Sequence, residues 1–132
     1  MSEFDGLISA ARQARENAFA PISNFRVGAA VRAGSGRTYT GCNIENATLG
    51  LTLCAERVAI FKAMSEGERD FDAIAVVTDV KRLTPPCGAC RQIIWEFCGD
   101  IPILLANMEG KMEKETSGGL LPRQFDASFL EE

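Results

Sequence analysis

The chain has 132 residues, 46% of them hydrophobic and 24% charged, so it fits one globular domain that we expect to span residues 1–132. Its formal net charge of −4 argues against binding to a nucleic acid polymer, which is itself negatively charged. No segment has the long apolar run of a membrane span. The first ten residues lack the basic and apolar stretches of a secretory signal, so we expect a cytoplasmic protein that binds small ligands. In such a reducing compartment, five cysteines argue against a disulfide framework.

Apolar periodicity and turn residues predict helices and strands in alternation along the chain. The predicted elements are a helix over 4–20, a hairpin with strands over 25–33 and 37–44, a helix over 51–67, a strand over 71–79, a helix over 87–98 and a strand over 101–108. This order indicates an α/β sandwich whose middle strands are joined by right-handed helical crossovers. For residues 118–132 the pattern indicates only a small helix or a packed tail.

Two cysteines, Cys87 and Cys90, lie three positions apart in the stretch TPPCGACRQ, at the start of a predicted helix. Residues one turn apart present their side chains on the same side of a helix. The free N–H groups and the positive end of the helix dipole at this position stabilise thiolates. Cys54 begins the preceding predicted helix and meets the same description. Three thiolates that converge from two helix N-termini form a tetrahedral zinc site with one open position, which is typical of a catalytic zinc.

Glu56 follows Cys54 by two residues, close enough to stand beside the open position of such a site without binding the metal. A carboxyl group there can take a proton from a water activated by zinc and return it to a substrate. Three thiolates also leave excess negative charge that weakens the Lewis acidity of the metal, and Arg57 would offset it by donating to a ligand sulfur. The alternative for Glu56 and Arg57 is an ordinary solvated pair of adjacent charges.

Other interpretations of the cysteines remain open. A C-x-x-C pair at a helix start is also a redox dithiol pattern, although that leaves the Cys-Ala-Glu block unexplained. A structural zinc with a fourth cysteine is the second interpretation. Cys98 lies about 12 Å along the helix from Cys90 and does not reach such a site, whereas Cys42 ends a strand that could approach the metal. A buried free thiol is the favoured role for Cys42.

The blocks CAERVAIFKA and PCGACRQ resemble the cytidine deaminase family, in its small homotetrameric branch whose zinc ligands are three cysteines. APISNFRVGAAV, GCNIENATLG and LLPRQF are similar to further motifs of that family, in the same order. The resemblance implies a three-layer α/β/α sandwich with a mixed, roughly five-stranded sheet. It implies hydrolytic deamination of cytidine or deoxycytidine at C4, in pyrimidine salvage. It also implies one zinc ion per chain and active sites shared between the subunits of a homotetramer.

Matched position by position, the resemblance assigns the metal-centre roles. The family's zinc ligands fall on Cys54, Cys87 and Cys90. Its proton shuttle, the catalytic carboxyl group, falls on Glu56. Arg57 matches an arginine that bonds the ligand thiolates.

The resemblance likewise implies a set of substrate contacts. Phe25 matches an aromatic residue that lines the nucleoside pocket, and Asn43 and Glu45 match a pair that hydrogen-bonds a ribose hydroxyl. The backbone around Ala55 matches a contact to the pyrimidine edge. Phe125 matches an aromatic residue that reaches the base bound in a neighbouring subunit. The alternatives are that Asn43 and Glu45 only shape a turn and that the two phenylalanines belong to the core.

Three positions depart from the family pattern. Ile22 and Leu49 stand where the family often has tyrosine, and Pro85 stands where serine is common. Each change removes a hydroxyl near the predicted site or subunit contact, and an apolar wall discriminates between substrates less than a hydrogen-bonding one. A deaminase of a related aminated heterocycle, similar to blasticidin-S deaminase, is therefore an alternative. A zinc-stabilised or redox dithiol domain without turnover is an alternative of a different class.

Overall fold

The computed structural model describes residues 3–131, which fold around one five-stranded sheet. The helices and strands are α1 (Asp5–Ala14), β1 (Val27–Ala33), β2 (Thr38–Cys42), α2 (Ala55–Ser65), β3 (Phe71–Thr78), α3 (Gly88–Cys98), β4 (Pro102–Asn107), β5 (Met112–Thr116) and α4 (Ser117–Leu120). Short 3-10 turns occupy Arg15–Asn17, Leu49–Leu51 and Ala127–Glu131. Within residues 3–131, no helix has both the length and the apolar character needed to cross a bilayer.

The sheet is mixed, with the strand order β2-β1-β3-β4-β5. β1 is antiparallel to both β2 and β3, β3 is parallel to β4, and β4 is antiparallel to β5. Since β2 and β3 both run opposite to β1, their carboxyl ends lie at the same end of the sheet. α2 and α3 follow those ends, so both helices begin there. This is the end at which open α/β sheets commonly bind ligands.

Helices cover both faces of the sheet. Leu7, Ile8 and Ala11 of α1 pack on one face, against small and aliphatic side chains of β1, β3 and β4. α2 and α3 pack on the other face, where Ile60 and Ile94 are fully buried in a second core. The expected three-layer α/β/α sandwich with a mixed, five-stranded sheet is therefore confirmed.

The boundaries of two helices and the number of strands differ from the pattern-based prediction. The first helix ends at Ala14 rather than at residue 20, because the chain tightens into a 3-10 turn and then extends. The second helix begins at Ala55 rather than at residue 51, because Leu53 pairs with Ile44 in extended backbone. No apolar alternation indicates β5, since this edge strand has the polar sequence MEKET and is largely exposed.

The C-terminal segment packs against α3, as a short helix followed by a tail. Three side chains of α3 donate hydrogen bonds to it: Arg91 to the carbonyl of Leu120 at 3.1 Å, Gln92 to the carbonyl of Phe125 at 2.7 Å, and Trp95 to the carboxylate of Asp126 at 3.1 Å. The last residue of the predicted segment, Glu132, lies outside the described residues.

The start of α2 is set by a close contact with β2 at Gly41. A Cβ atom on Gly41 would lie 2.5 Å from the carbonyl oxygen of Ala55 and 2.6 Å from the backbone nitrogen of Ala59. These are helix backbone atoms, which cannot rotate away as a side chain does. The absence of a side chain at Gly41 therefore determines how closely the first turn of α2 approaches the sheet.

We predict that Gly41→Ala lowers the free energy of unfolding by about 1–3 kcal/mol or more, because α2 must shift to accept the methyl group. Gly6→Ala is the control, since it lies on the exposed side of α1 with nothing within 4 Å of its added Cβ. Alanine favours a helix, so this control should be neutral or up to about 1 kcal/mol more stable. Denaturant unfolding measures both. Equal stability of the two variants would contradict the close contact.

Candidate active site

The N-termini of α2 and α3 carry the three predicted cysteines. Cys54 is the N-cap residue of α2 and Cys87 is the N-cap residue of α3, both in extended backbone. Cys90 follows in the first turn of α3. Pro85 and Pro86 disfavour helical backbone in the residues before them, so α3 starts directly after this pair. The positive ends of two helix dipoles thus lie beside the three sulfur atoms.

The sulfur atoms of Cys54, Cys87 and Cys90 all lie within 4.8 Å of one another, and those of Cys54 and Cys87 are 3.9 Å apart. Three sulfurs that bind one zinc ion at about 2.3 Å with tetrahedral angles lie about 3.8 Å apart, so the group has the spacing of zinc ligands. Across residues 3–131, no second group of three or more cysteine, aspartate or glutamate ligands converges in this way. Since zinc also favours thiolate donors, the residues present fit a zinc ion.

The thiol pKa values of Cys54 and Cys90 are shifted in opposite directions. Hydrogen bonding with Cys90 and donation from the Arg57 guanidinium lower the pKa of Cys54 to about 5. The pKa of Cys90 is raised, because this thiol donates to Cys54 and is buried. Cys54 is therefore a thiolate at neutral pH, whereas Cys90 keeps its proton until a cation replaces it. Metal binding to such a site releases protons, so its affinity rises with pH.

Arg57 contacts this group, and Glu56 interacts with it electrostatically. Arg57 donates through Nη2 to the sulfur of Cys54 at 3.3 Å and to the carbonyl of Thr52 at 3.4 Å. Glu56 is only 4% exposed, and burial together with the nearby Cys54 charge raises its pKa to about 7. A carboxyl group with that pKa can both take and give a proton near neutrality. The alternative of a solvated pair does not describe these two residues.

A cavity of about 420 Å³ opens beside the sulfur atoms. This volume is in the range of small-molecule sites. The residues that line it include Ser23, Phe25, Val27, Asn43, Glu45, Cys54, Ala55, Glu56, Val76, Thr78, Thr84, Pro85 and Cys87. Two of the three cysteines, the buried carboxyl group and four of the five matched substrate contacts, all except Phe125, therefore share one cavity.

Asn43 and Glu45 hold the segment that leads into β1. Asn43 accepts a hydrogen bond from the Val27 N–H at 2.9 Å and donates one to the Phe25 carbonyl at 2.7 Å. Glu45 Oε1 accepts from the N–H groups of Ile22 at 2.8 Å and Ser23 at 3.0 Å. Both side chains shape a turn, as one interpretation proposed, and both also line the cavity.

Three of the residues considered from the sequence lie away from this cavity. Phe125 is 55% exposed, and its ring stacks on Phe129 with centroids 5.7 Å apart. Cys42 is partly buried at the end of β2 and does not belong to the sulfur group. Cys98 lies at the other end of α3, where burial raises its pKa to about 12. A fourth sulfur ligand from Cys42 or Cys98 is thereby excluded.

Sequence reasoning missed four polar residues of the cavity: Ser23, Thr52, Thr78 and Thr84. Thr78 is almost fully buried, and its hydroxyl is 3.2 Å from that of Thr84. Alternate residues of a strand face the same side, so the position of Thr78 two residues after Val76 was an available signal. Ser23 lies in an irregular segment, for which no periodicity gives a facing direction.

A mixed α/β/α sandwich that gathers three thiols, two of which line one cavity together with a buried carboxyl group, defines a metal-dependent hydrolytic enzyme. Residues 1–104 match the family described as the cytidine and deoxycytidylate deaminase zinc-binding region. The chain belongs to this deaminase family, and zinc is its cofactor.

Proteins similar to this chain over almost its whole length are named cytidine deaminases. The chain is 53% identical over 125 residues to a cytidine deaminase of Halalkalibacterium halodurans, covering 94% of this chain and 95% of the relative. It is 49% identical over 129 residues to a cytidine deaminase of Sporosarcina psychrophila, covering 97% and 95% of the two chains. The crystal structure of a cytidine deaminase from Burkholderia pseudomallei superposes with a TM-score of 0.89 at 46% identity, over 95% of this chain and all of the other.

We predict that Cys87→Ala loses zinc and stability together, because the binding energy of such a site is partly folding energy. Metal analysis after dialysis should find little zinc, and the unfolding midpoint should fall. Cys42→Ala is the matched control, since it removes a partly buried thiol outside the sulfur group. A full equivalent of zinc in the Cys87→Ala protein would remove Cys87 from the ligand set.

Proposed function

We propose that this protein is a zinc-dependent hydrolase that deaminates cytidine and deoxycytidine to uridine and deoxyuridine. The observation that carries the proposal is the buried carboxyl group of Glu56, which lines one cavity together with two of the three converging cysteines. The identity to cytidine deaminases over almost the whole chain supports the same substrates. Cys54, Cys87 and Cys90 are the ligands of one zinc ion per chain.

Glu56 moves the protons of the reaction. Zinc, when bound, supplies a Lewis acid that lowers the pKa of a water to about 7. The oxygen of water adds to C4 of the cytosine ring while the π electron pair of the C4–N3 double bond moves to N3. The bond from C4 to the amino nitrogen breaks afterwards, and its electron pair leaves with the amine. Glu56 carries the two water protons in turn, one to ring nitrogen N3 and one to the leaving amine, so that ammonia departs. Its pKa of about 7 suits both directions of transfer.

The other cavity residues hold the nucleoside in place. Phe25 offers a ring face to the flat base, and the backbone at Ala55 contacts the pyrimidine edge. Asn43 has one N–H beyond the one given to Phe25, and Glu45 has one acceptor position beyond those given to Ile22 and Ser23. The pair can therefore bind a ribose hydroxyl. Arg57 supports the site from outside the cavity by neutralising part of the thiolate charge.

The active site is completed in a homotetramer. Phe125 is exposed and does not line the cavity of its own chain, which agrees with a role in the site of a neighbouring subunit. Several other large apolar side chains are at least 40% exposed, and an apolar surface of this kind supports a subunit interface. They include Phe19, Ile22, Leu49, Leu51, Leu53, Phe61, Phe129 and Leu130.

The cellular setting follows from the reaction and the thiols. Conversion of free cytidine to uridine places the enzyme in pyrimidine salvage. All five cysteines are free, and a reducing compartment such as the cytoplasm keeps them so. The chain acts as a single catalytic domain over residues 1–132, without a nucleic acid polymer or a membrane as partner.

A second candidate substrate class comes from one relative, a blasticidin-S deaminase of Bacillus cereus that is 36% identical over 111 residues, covering 78% of this chain and 79% of the relative. Pro85 lines the cavity, while Ile22 and Leu49 are exposed.

An ultraviolet assay with cytidine, deoxycytidine, cytosine and blasticidin S on one sample of known zinc content separates the two candidates. We expect both nucleosides to be preferred.

We predict that Glu56→Gln lowers kcat for cytidine by about a hundredfold to ten-thousandfold while zinc content and fold are retained. Glutamine has the same shape but cannot carry the proton. Glu113→Gln on the exposed strand β5 is the matched control and should keep full activity.

The same assay tests two points: wild type shows whether the protein is an enzyme, and Glu56→Gln shows whether Glu56 carries the protons. If wild type deaminates cytidine and Glu56→Gln does so equally well, Glu56 is not the proton carrier. A zinc-loaded wild type that deaminates none of the four substrates would leave only a structural or redox role for the site.

A further inference from the structure

A chain of hydrogen bonds joins Phe25, Ser23 and Glu45 at the wall of the cavity. The Phe25 N–H donates to the hydroxyl oxygen of Ser23 at 3.0 Å, and that hydroxyl donates in turn to Oε2 of Glu45. A serine hydroxyl has one hydrogen and two acceptor positions. Since the Phe25 N–H occupies an acceptor position of Oγ, the single hydrogen of Ser23 is directed at Glu45.

The hydrogen bonds to Glu45 leave its carboxylate with one free acceptor position, on Oε2. Oε1 accepts the N–H groups of Ile22 and Ser23, so both of its acceptor positions are used. Oε2 accepts the Ser23 hydroxyl and keeps one acceptor position. The Ser23 hydroxyl and N–H also hold the pKa of Glu45 below its ordinary value, so the group is a carboxylate at neutral pH.

The amide of Asn43 is oriented by the same segment. Its oxygen accepts the Val27 N–H and its nitrogen donates to the Phe25 carbonyl, so the amide cannot be reversed without losing both bonds. One N–H of Asn43 stays free for a ligand. The cavity therefore presents one fixed donor, from Asn43, and one fixed acceptor, from Glu45.

We propose that Ser23 is a positioning residue whose hydroxyl fixes the Glu45 carboxylate so that it accepts a hydrogen bond from a ribose hydroxyl. The inference rests on the proposed function, because it assumes that a nucleoside is the ligand of this cavity. Ser23 acts through Glu45 and determines selectivity for the hydroxyl-bearing edge of the sugar, while Phe25 binds the base independently of that edge.

A purely structural role for Ser23 has a different consequence. The segment contains Asn24 in the left-handed region, at φ 56°, and the Ser23 hydroxyl could simply stabilise that turn. Loss of the turn would disturb the ring of Phe25, so binding would weaken equally for nucleosides with and without sugar hydroxyls. Loss of the fixed orientation of the Glu45 carboxylate alone would weaken binding only of nucleosides that carry sugar hydroxyls.

The test measures binding of two product-like ligands, uridine and 2′,3′-dideoxyuridine, to zinc-loaded wild type, Ser23→Ala and Ser23→Thr by titration calorimetry. We expect Ser23→Ala to weaken uridine by roughly tenfold and dideoxyuridine by less than about threefold. In cytidine turnover the same variant should raise KM by roughly tenfold and change kcat by less than about threefold. Ser23→Thr keeps the hydroxyl and should restore uridine binding.

Ser35→Ala is the matched control. Ser35 lies in the turn between β1 and β2, where its hydroxyl donates to Glu68 at 2.8 Å and accepts the Arg37 N–H at 3.4 Å, the same pattern away from the cavity. This control should leave both ligands unaffected. If Ser23→Ala does not fold, Ser23→Cys, with a weak donor of similar size, should give the selective loss instead.

Equal weakening of both ligands, or no weakening of uridine, would overturn the positioning role of Ser23 and leave the proposed function intact. Failure of wild type to bind uridine and to deaminate cytidine would overturn the proposed function itself. The two failures are therefore distinguishable, because the first is a difference between variants and the second is a property of wild type.

Discussion

The convergence of two helix N-termini on one point is the constraint on which the rest of the structure depends. β2 and β3 run in the same direction, so α2 and α3 begin at the same end of the sheet. Gly41 lets the first turn of α2 approach β2 closely. These two features bring the sulfurs of Cys54 and Cys87 to within 3.9 Å, although the residues are 33 positions apart in sequence.

That convergence also sets the electrostatics of the cavity. Helix N-termini and Arg57 stabilise negative charge on Cys54. Burial has the opposite effect on Glu56, because it disfavours the charged carboxylate and raises the pKa of this group to about 7. Cysteines positioned to bind a cation therefore lie beside a carboxyl group that can exchange protons. Two of the proposed metal ligands, Cys54 and Cys87, are helix N-caps, and Cys90 lies in the first turn of α3. Glu56, the proposed proton carrier, lies one residue inside α2, so the start of α2 would serve both purposes.

Much of the site was predictable because its geometry is local. The spacing of Cys87 and Cys90 on one helical turn, and of Cys54 and Glu56 at another helix start, places each pair without knowledge of the fold. The resemblance to a known family added the substrate contacts, of which all but Phe125 line the cavity. The approach of Cys54 to Cys87 depends on strand direction, which the alternation of helices and strands indicates only in outline.

Other features were not predictable from local patterns. β5 carries a polar sequence because an exposed edge strand needs no apolar face, so its pairing with β4 leaves no periodic signal. The role of Ser23 depends on a bond to Glu45, 22 residues away, and on an irregular segment for which periodicity gives no side-chain direction. The helix over residues 4–20 was predicted too long, since alanines continue its pattern after the backbone has already left the helix at Ala14.

The ligand set of the metal centre is the central claim, and X-ray absorption spectroscopy at the zinc edge of the purified protein measures it directly. The account predicts three sulfur neighbours at about 2.3 Å and a fourth neighbour lighter than sulfur. Four sulfur neighbours would indicate a closed structural site, and two or fewer would show that the three cysteines do not act together; either result would contradict the account.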